Sequence, residues 1–201
     1  IDHQANGSAS EITLTDTVSY KNLEVGKQYT MTGTLMDKAT GKAVLGADGK
    51  AITAQTSFAP VSENGKVDVT FVFSGVDMAG KTVVAFEDVS SNGTTYAVHA
   101  DIDDEDQTVY FPSLDTVATD AVDGNHEIAE ADGQRITDKV TFTNLRDDCD
   151  YHVVGQLHVR NADGTDGGLL TDADGNAYTA TSDTFKGSAG NRDGVTLTFD
   201  N

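Results

Sequence analysis

The stretch VHADIDDEDQTVYFP, residues 98–112, sets His99 eight positions before Gln107, with five carboxylates between them: Asp101, Asp103, Asp104, Glu105 and Asp106. An imidazole that titrates near neutrality can take a proton and return it, and clustered carboxylates can hold a cation or assist proton transfer. The cation reading is weak. Neither DIDDED nor the DADG run at 172–175 has the D-x-[DN]-x-[DN]-G spacing with a distal glutamate. No Gly-rich phosphate loop or paired Cys/His motif occurs either, so no metal or cofactor is expected. The five acids read as a solvated loop that brings Gln107 to the mouth of a strand and does no chemistry itself. Cys149, the single cysteine, reads as an incidental exposed thiol in a turn.

The elements that position these groups are strands. In KQYTMTGTLM (27–36), Tyr29, Met31, Gly33 and Leu35 share one face and Thr30, Thr32 and Thr34 the other, a period of two that an amphipathic helix does not give. KVDVTFVF (66–73) puts Val67, Val69, Phe71 and Phe73 inward. KTVVAFEDV (81–89) and TTYAVHA (94–100) add two strands around Ser-Asn-Gly at 91–93. No helix longer than about three turns is expected, and turn signals recur every 8 to 12 residues or so, as in a β-sandwich.

The chain also repeats itself. TDTVSYKNL (15–23) matches TDKVTFTNL (137–145), and the same offset carries Tyr29, Gly33 and Leu35 onto Tyr151, Gly155 and Leu157. Further on, ADGKAITAQTSF (47–58) matches ADGNAYTATSDTF (173–185), and VDVTFVF matches the terminal VTLTFDN. Two copies of one module follow, 1–112 and 113–201, joined near Phe111-Pro112-Ser113. Copy two is expected to lack its last strands. Copy one is expected to lack its first, because the position that matches Thr116 falls before Ile1.

Four blocks of copy one, TDTVSYKNL, GTLMDKATGKAV, AGKTVVAFEDV and VHADIDDEDQTV, occur in an order and spacing that resemble the VaFE-type repeats of Gram-positive cell-wall-anchored surface adhesins. The naming tetrad is Val84-Ala85-Phe86-Glu87 here. The resemblance covers nearly all of 1–112 and, more loosely, 113–186. It implies an all-β architecture of tandem Ig-like, CnaB-like sandwiches, each cross-linked by an ester between a threonine on the first strand and a glutamine on the last, with loss of ammonia. Carried over residue by residue, Gln107 is the acyl donor, His99 and Asp16 activate the threonine, and Glu87 is a buried acid that polarises the carboxamide. In copy two Thr116 matches the nucleophile and Asp138 matches Asp16. Neither copy would then hold a complete set, and the chain is expected to contain no ester of its own.

Those residue types suit that chemistry. A threonine hydroxyl is a weak nucleophile without a base, and an amide is a poor electrophile unless its oxygen is held in a dry site. A glutamate among Val83, Ala85 and Phe86 would be pushed toward its neutral form by desolvation and could donate a hydrogen bond.

Composition narrows the partners. Thirteen basic against 33 acidic side chains give a net charge of −20, the opposite of a nucleic-acid or anionic-membrane footprint. The charge is even: 7 basic and 16 acidic residues up to Pro112, 6 and 17 after it. No apolar run has the length of a membrane span, and IDHQANGS lacks the features of a signal peptide, so any targeting or anchoring segment is expected outside the chain. A single cysteine excludes an intrachain disulfide.

The reading that results is a structural stalk on the outside of a Gram-positive cell, cell-wall-anchored, with the other domains of the same surface protein as its partners and no multiple-turnover enzyme activity. Two alternatives stand beside it. The modules could be host glycan- or protein-binding heads, against which zero Trp and 7% aromatics weigh mildly. Asp16 and Glu87 could instead form a glycosidase-like acid/base pair, which requires a cleft.

Overall fold

The computed structural model describes residues 3–128, 131 and 133–200. The chain divides into two compact units, Ile1–Pro112 and Ser113–Asn201, both Ig-like β-sandwiches.

Unit one contains β1 (Ile12–Tyr20), β2 (Tyr29–Asp37), β3 (Lys42–Ala43), β4 (Thr53–Phe58), β5 (Gly65–Phe73), β6 (Thr82–Ser91), β7 (Thr94–His99) and β8 (Thr108–Tyr110). One layer is β1 antiparallel to β5. The other is built on β2 and β6, with β3 and β4 along one edge of β2 and β7 and β8 sharing the far edge of β6. The alternation read from sequence sets which side chains meet between the layers. Tyr29, Met31 and Leu35 of β2 and Val69, Phe71 and Phe73 of β5 are buried, and the intervening residues face outward. With Val83 of β6 and Phe111 they form one continuous core. Each such side chain stabilises the fold by about 1.5–3 kcal/mol relative to exposure.

Gly33 is required by this packing. A Cβ on it would lie 2.5 Å from Cζ of Phe71, so the glycine makes room for the ring that seals the centre of the core. The same relation holds in unit two, where a Cβ on Gly155 would lie 2.5 Å from Leu197 and 2.9 Å from Phe199.

Two local features set the geometry of β7. Asn92 and Gly93 both have positive φ, 50° and 78°, the backbone of a two-residue hairpin whose twist matches its strands. Ser91 then faces Thr94 and Ser90 faces Thr95, but the register shifts by one residue before Val89 pairs with Ala97. Tyr96 is the extra residue of a β-bulge. Its hydroxyl accepts a hydrogen bond from Lys27 Nζ at 2.8 Å, and its ring meets Tyr29 edge-on at 5.6 Å.

In unit two, β9 (Ser113–Asp120) and β10 (Arg135–Thr143) form a three-stranded sheet with the strand Val195–Asp200. The register repeats that of unit one: Asp138 faces Leu197 as Asp16 faces Val69, and Ile136 faces Phe199 as Leu14 faces Phe71. The core is smaller, centred on Val140, Leu197 and Phe199. A short helix, Gly187–Asp193, precedes the final strand. Cys149 corrects one expectation: it is half-buried rather than exposed, its thiol 3.7 Å from Asp148 Oδ1, because the Arg146–Tyr151 turn folds back on itself.

Candidate functional site: a carboxyl pair, an imidazole and a groove

Asp16 and Glu87 reach each other across the interior of unit one. Asp16 points inward from β1 on the face that also carries Leu14 and Val18, and Glu87 points inward from β6, only 3% exposed. Glu87 Oε1 and Asp16 Oδ2 are buried oxygens to which no N–H or hydroxyl donates, yet the two side chains stand in hydrogen-bonding reach of each other. Two ionised carboxylates cannot bond to one another. A proton on Glu87 resolves this by serving both oxygens, and the surroundings favour it: burial first, then the facing Asp16 carboxyl and the charge of Asp104, push Glu87 up to about 8.

His99 closes the group on the β7 side. The bulge at Tyr96 sets it directly opposite Glu87 in the ladder, and its Nδ1 lies 3.2 Å from Glu87 Oε2. Were Tyr96 paired with Val89 in an unbroken ladder, Val98 would face Glu87 and the imidazole would turn to the other surface of the sheet. On its other side Nε2 lies 3.1 Å from Asp104 Oδ2. The ring is therefore held between two carboxyl groups, Glu87 on the Nδ1 side and Asp104 on the Nε2 side.

The acidic stretch is therefore more than a solvated loop. Asp104 caps a single 3-10 turn, Glu105–Gln107, by accepting from Asp106 N at 2.9 Å. Glu105 is held by Lys38 Nζ at 2.8 Å and by the Tyr110 hydroxyl at 2.7 Å. Sequence reasoning missed Asp104 because five acids in six positions look alike. Only the turn selects the one that meets the imidazole.

Gln107 ends this turn and lines a groove of about 820 Å³. β1 from Ile12 to Thr17, Asp16 included, forms one wall, Gln107 and Val109 with His3–Ala5 form the other, and Leu35, Phe71, Val83 and Ala85 lie at its base. Residues 3–5 run parallel to β8: Ala5 N donates to Tyr110 O, Tyr110 N to His3 O, and His3 Nδ1 lies 2.7 Å from Thr108 O. Among the described residues the edge of β1 away from β5 has no strand partner.

Unit two carries the other two candidates. Thr116 lies on β9 opposite Val140, exposed, and Ala118 lies opposite Asp138. Thr116 and Asp138 therefore share the inner face of neighbouring strands. Asp138 Oδ1, like Asp16 Oδ2, is buried without a hydrogen-bond donor. Because β10 repeats β1 in register, the place of β9 corresponds in unit one to the free edge of β1, and the place of Thr116 to a position opposite Val18.

A family model for the T-Q ester bond containing domain matches residues 2–111 and again 112–201. The chain belongs to this family. Two solved structures of a bacterial adhesin from Mobiluncus mulieris, containing intramolecular disulfide, isopeptide and ester bond cross-links, are similar to this chain at 14% identity. One match covers 89% of this chain and 88% of the other with a TM-score of 0.43, and the second covers 94% and 91% with a TM-score of 0.44. No curated protein matches the chain.

Proposed function

We propose that the two T-Q domains are stalk modules of a bacterial surface adhesin, each built to weld a threonine hydroxyl to a glutamine carboxamide once. The observation that carries this reading is the proton-sharing Asp16–Glu87 pair between an imidazole and the groove that Gln107 lines. A strand lying along the free edge of β1, in the register β9 takes on β10, would turn its threonine toward the same interior as Asp16.

The chemistry then balances without an added reagent. The hydroxyl oxygen attacks the Gln107 carboxamide carbon, the His99 imidazole receives the hydroxyl proton with Asp16 supporting its removal, and the neutral Glu87 carboxyl turns its proton to the developing oxyanion. The C–N bond breaks as the imidazole protonates the leaving amine. Ammonia departs and an ester remains. A carboxylic acid held neutral at pH 7 is the form needed, because an ionised Glu87 would repel that oxyanion.

The expected benefit is mechanical. A cross-link that closes about 100 residues removes roughly 4 to 5 kcal/mol of unfolded-state entropy, if it acts as a disulfide does. Force between first and last strands would pass through a covalent bond rather than a peelable ladder. This suits the outside of a Gram-positive cell, with anchoring to the wall and the neighbouring domains of the same surface protein as partners. Single turnover sets it apart from an enzyme.

The test mixes the full chain with a synthetic peptide of residues 112–122, which contains β9 and its threonine. Intact mass spectrometry should find an adduct lighter than the sum by one ammonia, lost in Gln107→Ala. A complex that remains purely non-covalent overturns the proposal.

A further inference from the structure

We infer that Asp104 is a positioning residue for the cross-linking reaction, locking the His99 imidazole to the turn that presents Gln107. This rests on the function proposed above and adds to it a residue that the roles carried over from the family leave out.

Four contacts, made by three atoms of Asp104, support it. Its Oδ2 lies 3.1 Å from His99 Nε2. Its Oδ1 accepts from Asp106 N at 2.9 Å. Its backbone oxygen accepts from the Thr108 hydroxyl at 2.7 Å and from Gln107 N at 3.3 Å. Thr108 is fully buried, so the backbone oxygen of Asp104 is anchored by a hydroxyl that cannot turn to solvent. One residue therefore ties the imidazole on one side and the residue carrying the carboxamide on the other.

The physical consequence is orientation. The imidazole is nearly half exposed at its side chain, and Glu87 alone grips it through one nitrogen. A second grip through the opposite nitrogen fixes the ring plane and keeps Nδ1 aimed at the carboxyl pair. An acid that orients a histidine through its second nitrogen also sets which protons the ring carries. The groups that face His99 are Glu87 from β6, Asp104 from the turn and, through Glu87, Asp16 from β1.

The experiment compares wild type, Asp104→Asn, Asp104→Glu and Asp104→Ala by two readouts. Asparagine is as good a cap as aspartate, so Asp104→Asn should keep the turn and the thermal midpoint while losing the charge that holds the ring. In the peptide assay its rate of ammonia loss should fall on the order of 10- to 100-fold, a part of the roughly 10²–10⁴ that a positioned general acid–base contributes. Asp104→Glu, which restores the carboxylate, should recover part of the loss. Asp104→Ala should lose both rate and turn order. Independently of any reaction, nitrogen-resolved NMR of the His99 ring should find a protected Nε2–H in wild type that exchanges freely in Asp104→Ala and is weakened in Asp104→Asn. A wild type that forms no adduct would sink the proposed function and leave the NMR comparison to decide the role of Asp104. Unchanged rate in Asp104→Asn, or a His99 ring signal indifferent to all three variants, overturns this inference.

Discussion

Glu87 and Asp16 face each other from opposite layers of the first sandwich with buried carboxyl oxygens, and burial together with the facing Asp16 carboxyl favours a proton on Glu87. Much of what can be measured on this protein follows from that relation.

The first consequence is a stability profile that falls as pH rises. The folded state keeps the Glu87 proton up to about 8, whereas the ordinary value is 4.5. Between those limits the unfolded chain binds fewer protons than the folded one, so stability is fully present below the lower limit. It then declines by on the order of 1 kcal/mol per pH unit until the upper limit is passed. Denaturant unfolding of wild type from pH 4.5 to 8.5 should show the decline. Glu87→Gln keeps a donor toward Asp16 without a titrating group and should flatten it, and an equally steep profile in the variant would disprove the shared proton.

Removing the imidazole should separate chemistry from folding. His99 lies at the sheet surface, its side chain 45% exposed, so His99→Gln should change stability by less than about 0.5 kcal/mol. Peptide coupling should nevertheless drop at least about 100-fold, the low end of what general acid–base catalysis supplies. Calorimetry and mass spectrometry on the same preparation check both halves.

The bulge at Tyr96 is testable by deletion. Removing that one residue closes the ladder without a bulge and keeps Ala97, Val98 and His99 opposite Val89, Asp88 and Glu87. Coupling should be retained, and its loss while circular dichroism still reports β structure would show that His99 had left the register opposite Glu87. Replacing Tyr96 by Phe, which keeps the ring and loses the Lys27 hydrogen bond, should retain coupling.

Gly33→Ala should destabilise unit one by about 1–3 kcal/mol, because its Cβ would overlap the Phe71 ring. Gly155→Ala should do the same against Leu197 and Phe199. Shifts in the thermal midpoints report each, and a stabilised variant would show that the ring has room to move.

Thr116→Val should leave folding within about 0.5 kcal/mol of wild type, since the residue is exposed on β9. In the synthetic peptide the same change should eliminate the adduct altogether. Mass spectrometry decides between that outcome and attack by another hydroxyl such as Thr119.

The sequence by itself determined the strands, their inward faces, the repeat and the set of groups able to react. All of these are matters of local periodicity and residue type: Tyr29, Met31 and Leu35 alternate with threonines, and the same blocks return in the second half. Turn chemistry at Asn92-Gly93 was equally legible, because positive φ at both positions limits which residues fit. Only the tertiary structure decided which groups meet. Nothing in TTYAVHA marks Tyr96 as the extra residue, since a bulge depends on what the side chain finds across the sheet, here Lys27 and Tyr29. Nothing in DIDDED singles out Asp104, because equal acids become unequal only when a turn aims one of them at a ring. The proton between Asp16 and Glu87 belongs to the fold in the same way: it requires two residues 71 positions apart to be withdrawn from water together, and burial is a property of the packed layers rather than of either residue.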